Sequence, residues 1–238
     1  MSRDYEELAF HQTPLGDLIL RRRRMRTLDD LEVHEIILGT GYLMSSLFTT
    51  VEVALADLGL AATPGAELDV VVGGLGLGYT AQAALREDRL RSLVVVEALP
   101  QVIGWHRDGL VPLGEELVRD PRCRFVEGDF FALSSDTGFD PQAPGRRFHA
   151  ILLDIDHSPR NLIHEQHHSF YSPEGLRHLA THLHPGGVFA MWSDDPPDEE
   201  FLATLGGVFP ETTSEVVSFH NPLLDRDSRS TVYLSKLP

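Results

Sequence analysis

The sequence predicts an α/β fold: a doubly wound, Rossmann-like sheet with a small N-terminal β-hairpin cap. Three observations carry that expectation. Short apolar runs alternate with helix-compatible stretches from about residue 68 to 205. The first of these runs stops at a cluster of glycines, and the next three each end in an acidic residue. Continuous apolar strands are the mark of a parallel sheet covered on both faces, and such sheets bind ligands outside their C-terminal strand ends.

The elements follow in chain order. Residues 16–24 (GDLILRRRR) and 31–38 (LEVHEIIL) read as two strands joined by a turn at Asp29 and Asp30. They make residues 1–46 a cap and 47–238 a nucleoside-binding α/β domain. Alternation places Arg21 to Arg24 on both faces of the first strand. A solvated edge strand is the expectation there, an anion-attracting patch the alternative. Residues 47–60 form an amphipathic helix leading into the run 69–73 (DVVVG), and a helix-compatible stretch follows at 80–85. Further strands are expected at 93–97, 123–129, 148–154 and 185–192, with polar loops at 136–145 and 193–198. Trp105 and His106 fall in the helix after Glu97, where the tryptophan either stacks on a base or joins the core.

The glycines decide which ligand such a fold would take. Gly74, Gly76 and Gly78 read G-x-G-x-G, and Tyr79 stands where a dinucleotide site needs its last glycine. Glycine reaches positive φ and admits a ligand against the backbone, while the following helix N-terminus offers free N–H groups. The shorter spacing points to an S-adenosylmethionine-type nucleoside site, with Tyr79 at the turn's end. Glu97, about 20 residues past the glycines, is placed for the ribose hydroxyls with Ala98 beside it. Gly128 and Asp129 close the next strand near an adenine, and Asp154 closes the one after.

Composition narrows the function. A net charge of −16 argues against a nucleic-acid partner. No run approaches the roughly 18 apolar residues of a membrane span, and the charged N-terminus is not a signal peptide, so no membrane partner and a cytoplasmic location are expected. One cysteine, Cys123, excludes an internal disulfide framework and a cysteine-rich zinc site.

These segments together resemble the spermidine synthase (polyamine aminopropyltransferase) family, within the class I methyltransferase-type fold. The likeness runs through TPLGDLIL at 13–20, Val33-His34-Glu35, the glycine turn at 72–78, Val96-Glu97, Gly128-Asp129, LDIDHSP at 153–159, Phe170-Tyr171 and LHPGGVF at 183–189. The resemblance adds decarboxylated S-adenosylmethionine as the other cofactor form. It implies that Asp154, Asp156 and His157 form the catalytic loop facing the acceptor, and that the chain is a homodimer. The chain also departs from the family. Gly76 stands where the family has the Asp that grips the aminopropyl amine. Gly16, Val33, His157 and Trp192 replace other residues that hold the amine substrates or take their proton. Loss of the turn carboxylate removes a repulsion against the carboxylate of intact S-adenosylmethionine. The expected function is therefore methyl transfer to a small-molecule acceptor. Aminopropyl transfer to an amine and a non-catalytic nucleoside-binding protein are the alternatives. No metal is expected, although His157, His164, His168, Asp154, Asp194 and Asp195 offer ligand types for a divalent ion.

Overall fold

The computed structural model describes residues 4–238, arranged as two sheets with helices. The N-terminal sheet holds β1 (Tyr5–Thr13), β2 (Gly16–Met25), β3 (Leu31–Leu38) and β4 (Gly41–Ser45), antiparallel in that order. The cap is thus a four-stranded meander, not a hairpin. Asp29 and Asp30 form the expected turn, both at positive φ, a conformation aspartate tolerates better than most residues. β2 lies inside the cap sheet, which corrects the edge-strand expectation. Among the described residues three of its four arginines are paired, on both faces: Arg21 and Arg23 with buried Glu35, and Arg22 with Glu6 and Glu32.

The main unit begins with α1 (Thr50–Ala62), followed by β5 (Leu68–Gly73), α2 (Tyr79–Leu85), β6 (Leu90–Glu97), α3 (Pro100–Arg107) and α4 (Gly114–Arg119). Then come β7 (Cys123–Glu127), α5 (Phe130–Ser134), β8 (Phe148–Leu153), α6 (Pro173–Thr181), β9 (Leu183–Ser193) and α7 (Glu199–Gly206). A C-terminal hairpin, β10 (Glu211–Asn221) and β11 (Arg226–Lys236), completes the chain. Strand order is β10-β11-β9-β8-β5-β6-β7, with β5 to β9 parallel and the hairpin antiparallel.

Every residue of β5 is buried because the sheet is covered on both sides. Val70 and Val72 face the layer that holds Leu55, Ala81 and Trp105, while Val71 faces the one built on Phe130, Phe139 and Leu176. Each of these buried valines contributes about 2 kcal/mol. Trp105 is a core residue, not a platform for a base. The cap residues Leu18, Leu20 and Ile36 share the first layer with Val51 and Leu55 of α1. Local chemistry fixes the ends of helices: Asp129, Ser172 and Asp198 each accept backbone N–H groups at the starts of α5, α6 and α7. Cys123 is half-buried on β7, where burial pushes its thiol up to about 12. Among the described residues no helix is long and apolar enough to cross a membrane.

Candidate active site

The chain order reverses between β5 and β8. From β5 the sheet grows through β6 and β7 on one side and through β8 and β9 on the other. The loops at the C-terminal ends of these two strands diverge to opposite faces and leave a crevice. A cavity of about 260 Å3 lies there. Gly74 and Gly76 after β5, Glu97 and Ala98 at the end of β6, Gly128 and Asp129 after β7, and Asp154 after β8 all line it. These residues, up to 80 positions apart in the chain, meet because each ends or follows a strand of the same parallel ladder.

Each wall has a physical origin. Gly74 has φ 95°, and a Cβ there would run into the backbone carbonyl of Asp154. Gly76, at φ 47°, leaves room that a Cβ would take up within 2.7 Å of the Met44 sulfur. The turn is held from behind by His106, whose Nε2 lies 2.9 Å from the Gly76 carbonyl oxygen. Glu97 crosses from β6 to the turn, accepting the N–H of Leu75 at 3.0 Å and that of Leu99 at 2.9 Å. Burial pushes its carboxyl above the usual range, opposed by the N–H groups of Leu99, Leu75, Gly76 and Ala98. Asp129 accepts the N–H groups of Phe131 and Ala132.

One end of the cavity is acidic. Asp154 accepts the Thr80 hydroxyl at 2.6 Å. Glu52, in the first turn of α1, lines the same cavity and faces Asp154. Burial, then the charge of Asp154, pushes Glu52 up to about 8, and burial raises Asp154 to about 6 despite the Thr80 bond. Removing such neighbouring carboxyls from water favours their protonated forms, and a cation beside them would reverse the balance.

Four expected site residues lie elsewhere. Asp156 is buried and its carboxylate is fully engaged: it accepts the Tyr171 hydroxyl at 2.8 Å and the Ile163 N–H at 2.8 Å, and lies 2.9 Å from His167 Nδ1. It lines neither this cavity nor the cleft beside it; it ties down the loop after β8, which corrects its expected place facing an acceptor. His157 lines an adjoining cleft, its ring 6.3 Å from that of Trp192. Gly78 sits behind the turn against Leu117 and His106, and half-buried Tyr79 stands beside Glu52 and Ser46. The Val33-His34-Glu35 segment lies on β3, away from the cavity. Of the residues that precede the glycine turn, the acid that reaches the cavity is Glu52. Met44, Phe131, His167 and Trp192 complete the wall. Among the described residues no three His, Cys, Asp or Glu side chains gather as a metal-ligand set.

Comparison of the whole chain with solved structures is consistent with this geometry. The spermidine synthase from Thermotoga maritima superposes with a TM-score of 0.73 at 16% identity, over 98% of this chain and 73% of that one. The chain has the fold of the spermidine synthases. A spermidine synthase solved with the transition-state analogue AdoDATO gives 0.72 at 16% identity, covering 98% of this chain and 72% of that one. The human methyltransferase-like protein 13, solved with SAH, shares the sheet at 0.57 and 16% identity, over 78% of this chain and 82% of that one. The chain thus shares the wider methyltransferase-like fold as well. No protein-family model matches the chain.

Proposed function

We propose that this chain is a transferase that binds S-adenosylmethionine or a related thionucleoside and moves its methyl group to a small-molecule acceptor. The observation that carries this reading is the convergence of Gly74, Gly76, Glu97, Asp129 and Asp154 on one cavity from four separate strand ends. The donor sets fit such a ligand. Glu97, held by backbone N–H groups of the turn and of Leu99, ends β6 on the cavity wall, where an acid meets ribose hydroxyls. Asp129 and Gly128 edge the base side, and Phe131 supplies an apolar surface there. Gly74 and Gly76 form the bed beneath the tail.

S-adenosylmethionine, when bound, supplies a methyl group activated on a cationic sulfonium. Glu52 and Asp154 hold that charge, ionising beside it and returning to protonated forms when it leaves. Asp154 in the cavity and His157 in the adjoining cleft are the groups placed to take a proton from the acceptor. Gly76 puts no carboxylate against the amino-acid end of the donor, which supports methyl over aminopropyl transfer. The aminopropyl reading has one observation of its own: Glu52 and Asp154 give the cavity two carboxyls that an amine tail would also use.

Calorimetric titration of the dialysed protein with S-adenosylhomocysteine and, in parallel, 5′-methylthioadenosine tests the assignment. Tighter binding of S-adenosylhomocysteine is the expected result. A preference for methylthioadenosine would move the assignment to aminopropyl transfer, and binding of neither would sink the transferase reading.

A further inference from the structure

A second cleft, of about 410 Å3, opens between the cap and the loop after β8. Leu15, Leu38 and Leu43 form its cap wall, and Leu162 and Ile163 its loop wall. Leu15, Leu38, Leu43, Ile163 and His164 also line the donor cavity, so the two volumes adjoin along a shared rim that is apolar except for the His164 imidazole. In a chain of net charge −16, this cleft is lined by no aspartate, glutamate, lysine or arginine among the described residues. Its polar groups are neutral hydrogen-bonding ones or imidazoles: Tyr42, Asn161, His157 and His164.

We infer that this cleft is the acceptor subsite, and that the acceptor is an uncharged small molecule with an apolar, ring-sized body and a single hydroxyl of phenol type. The inference rests on the proposed donor site, because the acceptor must present its nucleophile to a methyl group lying in the adjoining cavity. The volume falls within the range of small-ligand sites. A protonated amine seated between the leucines would lose its hydration without a carboxylate to replace it, since Asp156, the nearest acid in sequence to His157, is engaged by Tyr171, Ile163 and His167. An apolar ring gains from the same surroundings. His157 stands at the junction, between the cleft it lines and Trp192 of the donor cavity, where its imidazole meets the acceptor's hydroxyl.

The test uses 2-naphthol as the apolar probe and spermidine as the cationic one. Each is titrated calorimetrically into the full chain with and without saturating S-adenosylhomocysteine. Leu15→Glu is the diagnostic variant: the side chain is 44% exposed in the β1–β2 turn, so the change places a charge on the rim without opening the core. 2-Naphthol is expected to bind better than spermidine, and Leu15→Glu to weaken it by roughly tenfold or more with an unaltered thermal midpoint. Tighter binding of spermidine, no binding of 2-naphthol, or 2-naphthol binding indifferent to Leu15→Glu overturns the inference. If S-adenosylhomocysteine fails to bind while 2-naphthol still binds and still responds to Leu15→Glu, the donor reading falls and the cleft's preference stands.

Discussion

Glu52 and Asp154 make the pH response of this molecule predictable. Both carboxyls titrate higher in the folded chain than in the unfolded one, so Asp154 between about 3.8 and about 6, and Glu52 between about 4.5 and about 8, hold protons in the folded state that the unfolded state has released. Stability from this pair is fully present at the acid end of these windows and is lost as pH rises through them. The unliganded protein's thermal midpoint should therefore fall towards pH 8, and Glu52→Gln should flatten that fall; differential scanning fluorimetry across both windows checks both. S-adenosylmethionine should counter the fall, because a cation beside the pair favours its ionised form. At Glu97, replacement by alanine strips partners from the Leu75 and Leu99 N–H groups as well as from the ribose. Calorimetry should show S-adenosylhomocysteine binding weakened by roughly a hundredfold, about 2–3 kcal/mol. Glu97, Asp129 and Asp154 were legible in the sequence because a strand-end acid has one place to go in a parallel sheet. Glu52 was not, since inside an amphipathic helix it reads like any solvent-facing acid. Nor was the fate of Asp156, which depends on His167 and Tyr171 folding back over it, 11 and 15 residues later.

At the level of elements, the glycine turn and the loop after β8 are the parts whose conformation decides binding. Gly74→Ala meets both a positive φ and the Asp154 carbonyl, a backbone atom that cannot yield without parting β5 from β8. A loss of about 2 kcal/mol or more in urea unfolding is expected. Gly76→Asp is gentler, since aspartate tolerates φ 47° and the obstacle is the flexible end of Met44. It should restore a carboxylate to the turn and shift preference from S-adenosylhomocysteine towards methylthioadenosine, read as the ratio of the two dissociation constants. Asp156→Ala should release the loop that carries Ile163 and His167, seen as faster proteolysis there and a stability loss of about 3 kcal/mol. The central strands were readable because burial on both faces demands unbroken apolar runs, as in β5 and β8. β1, β4 and β10 escaped because they are the edge strands of their sheets and largely face water. Their sequences, such as ETTSEVVSFHN in β10, mix polar and apolar residues without a clean period.

For the molecule as a whole, the decisive fact is that cap and sheet share one apolar layer: Leu18, Leu20 and Ile36 pack with Val51, Leu55 and the β5 valines. The cap loses its core if the sheet leaves, and the sheet loses part of one of its two apolar layers if the cap does. Calorimetric unfolding should show one transition with calorimetric and van't Hoff enthalpies in agreement, and two separated transitions would refute it. That coupling was hidden in the sequence, where the cap residues sit some 30 positions from the nearest central strand and match no pattern with it. The lone thiol on β7 has a practical consequence at this scale. With its thiol held to about 12 and the sulfur half-buried, Cys123 yields almost no thiolate at neutral pH. The native chain behaves towards alkylating dyes as though it were cysteine-free. A cysteine placed at Leu15 and another on the facing loop would take spin or fluorescent labels alone, turning the width of the cleft between cap and loop into a distance that spectroscopy reads during turnover.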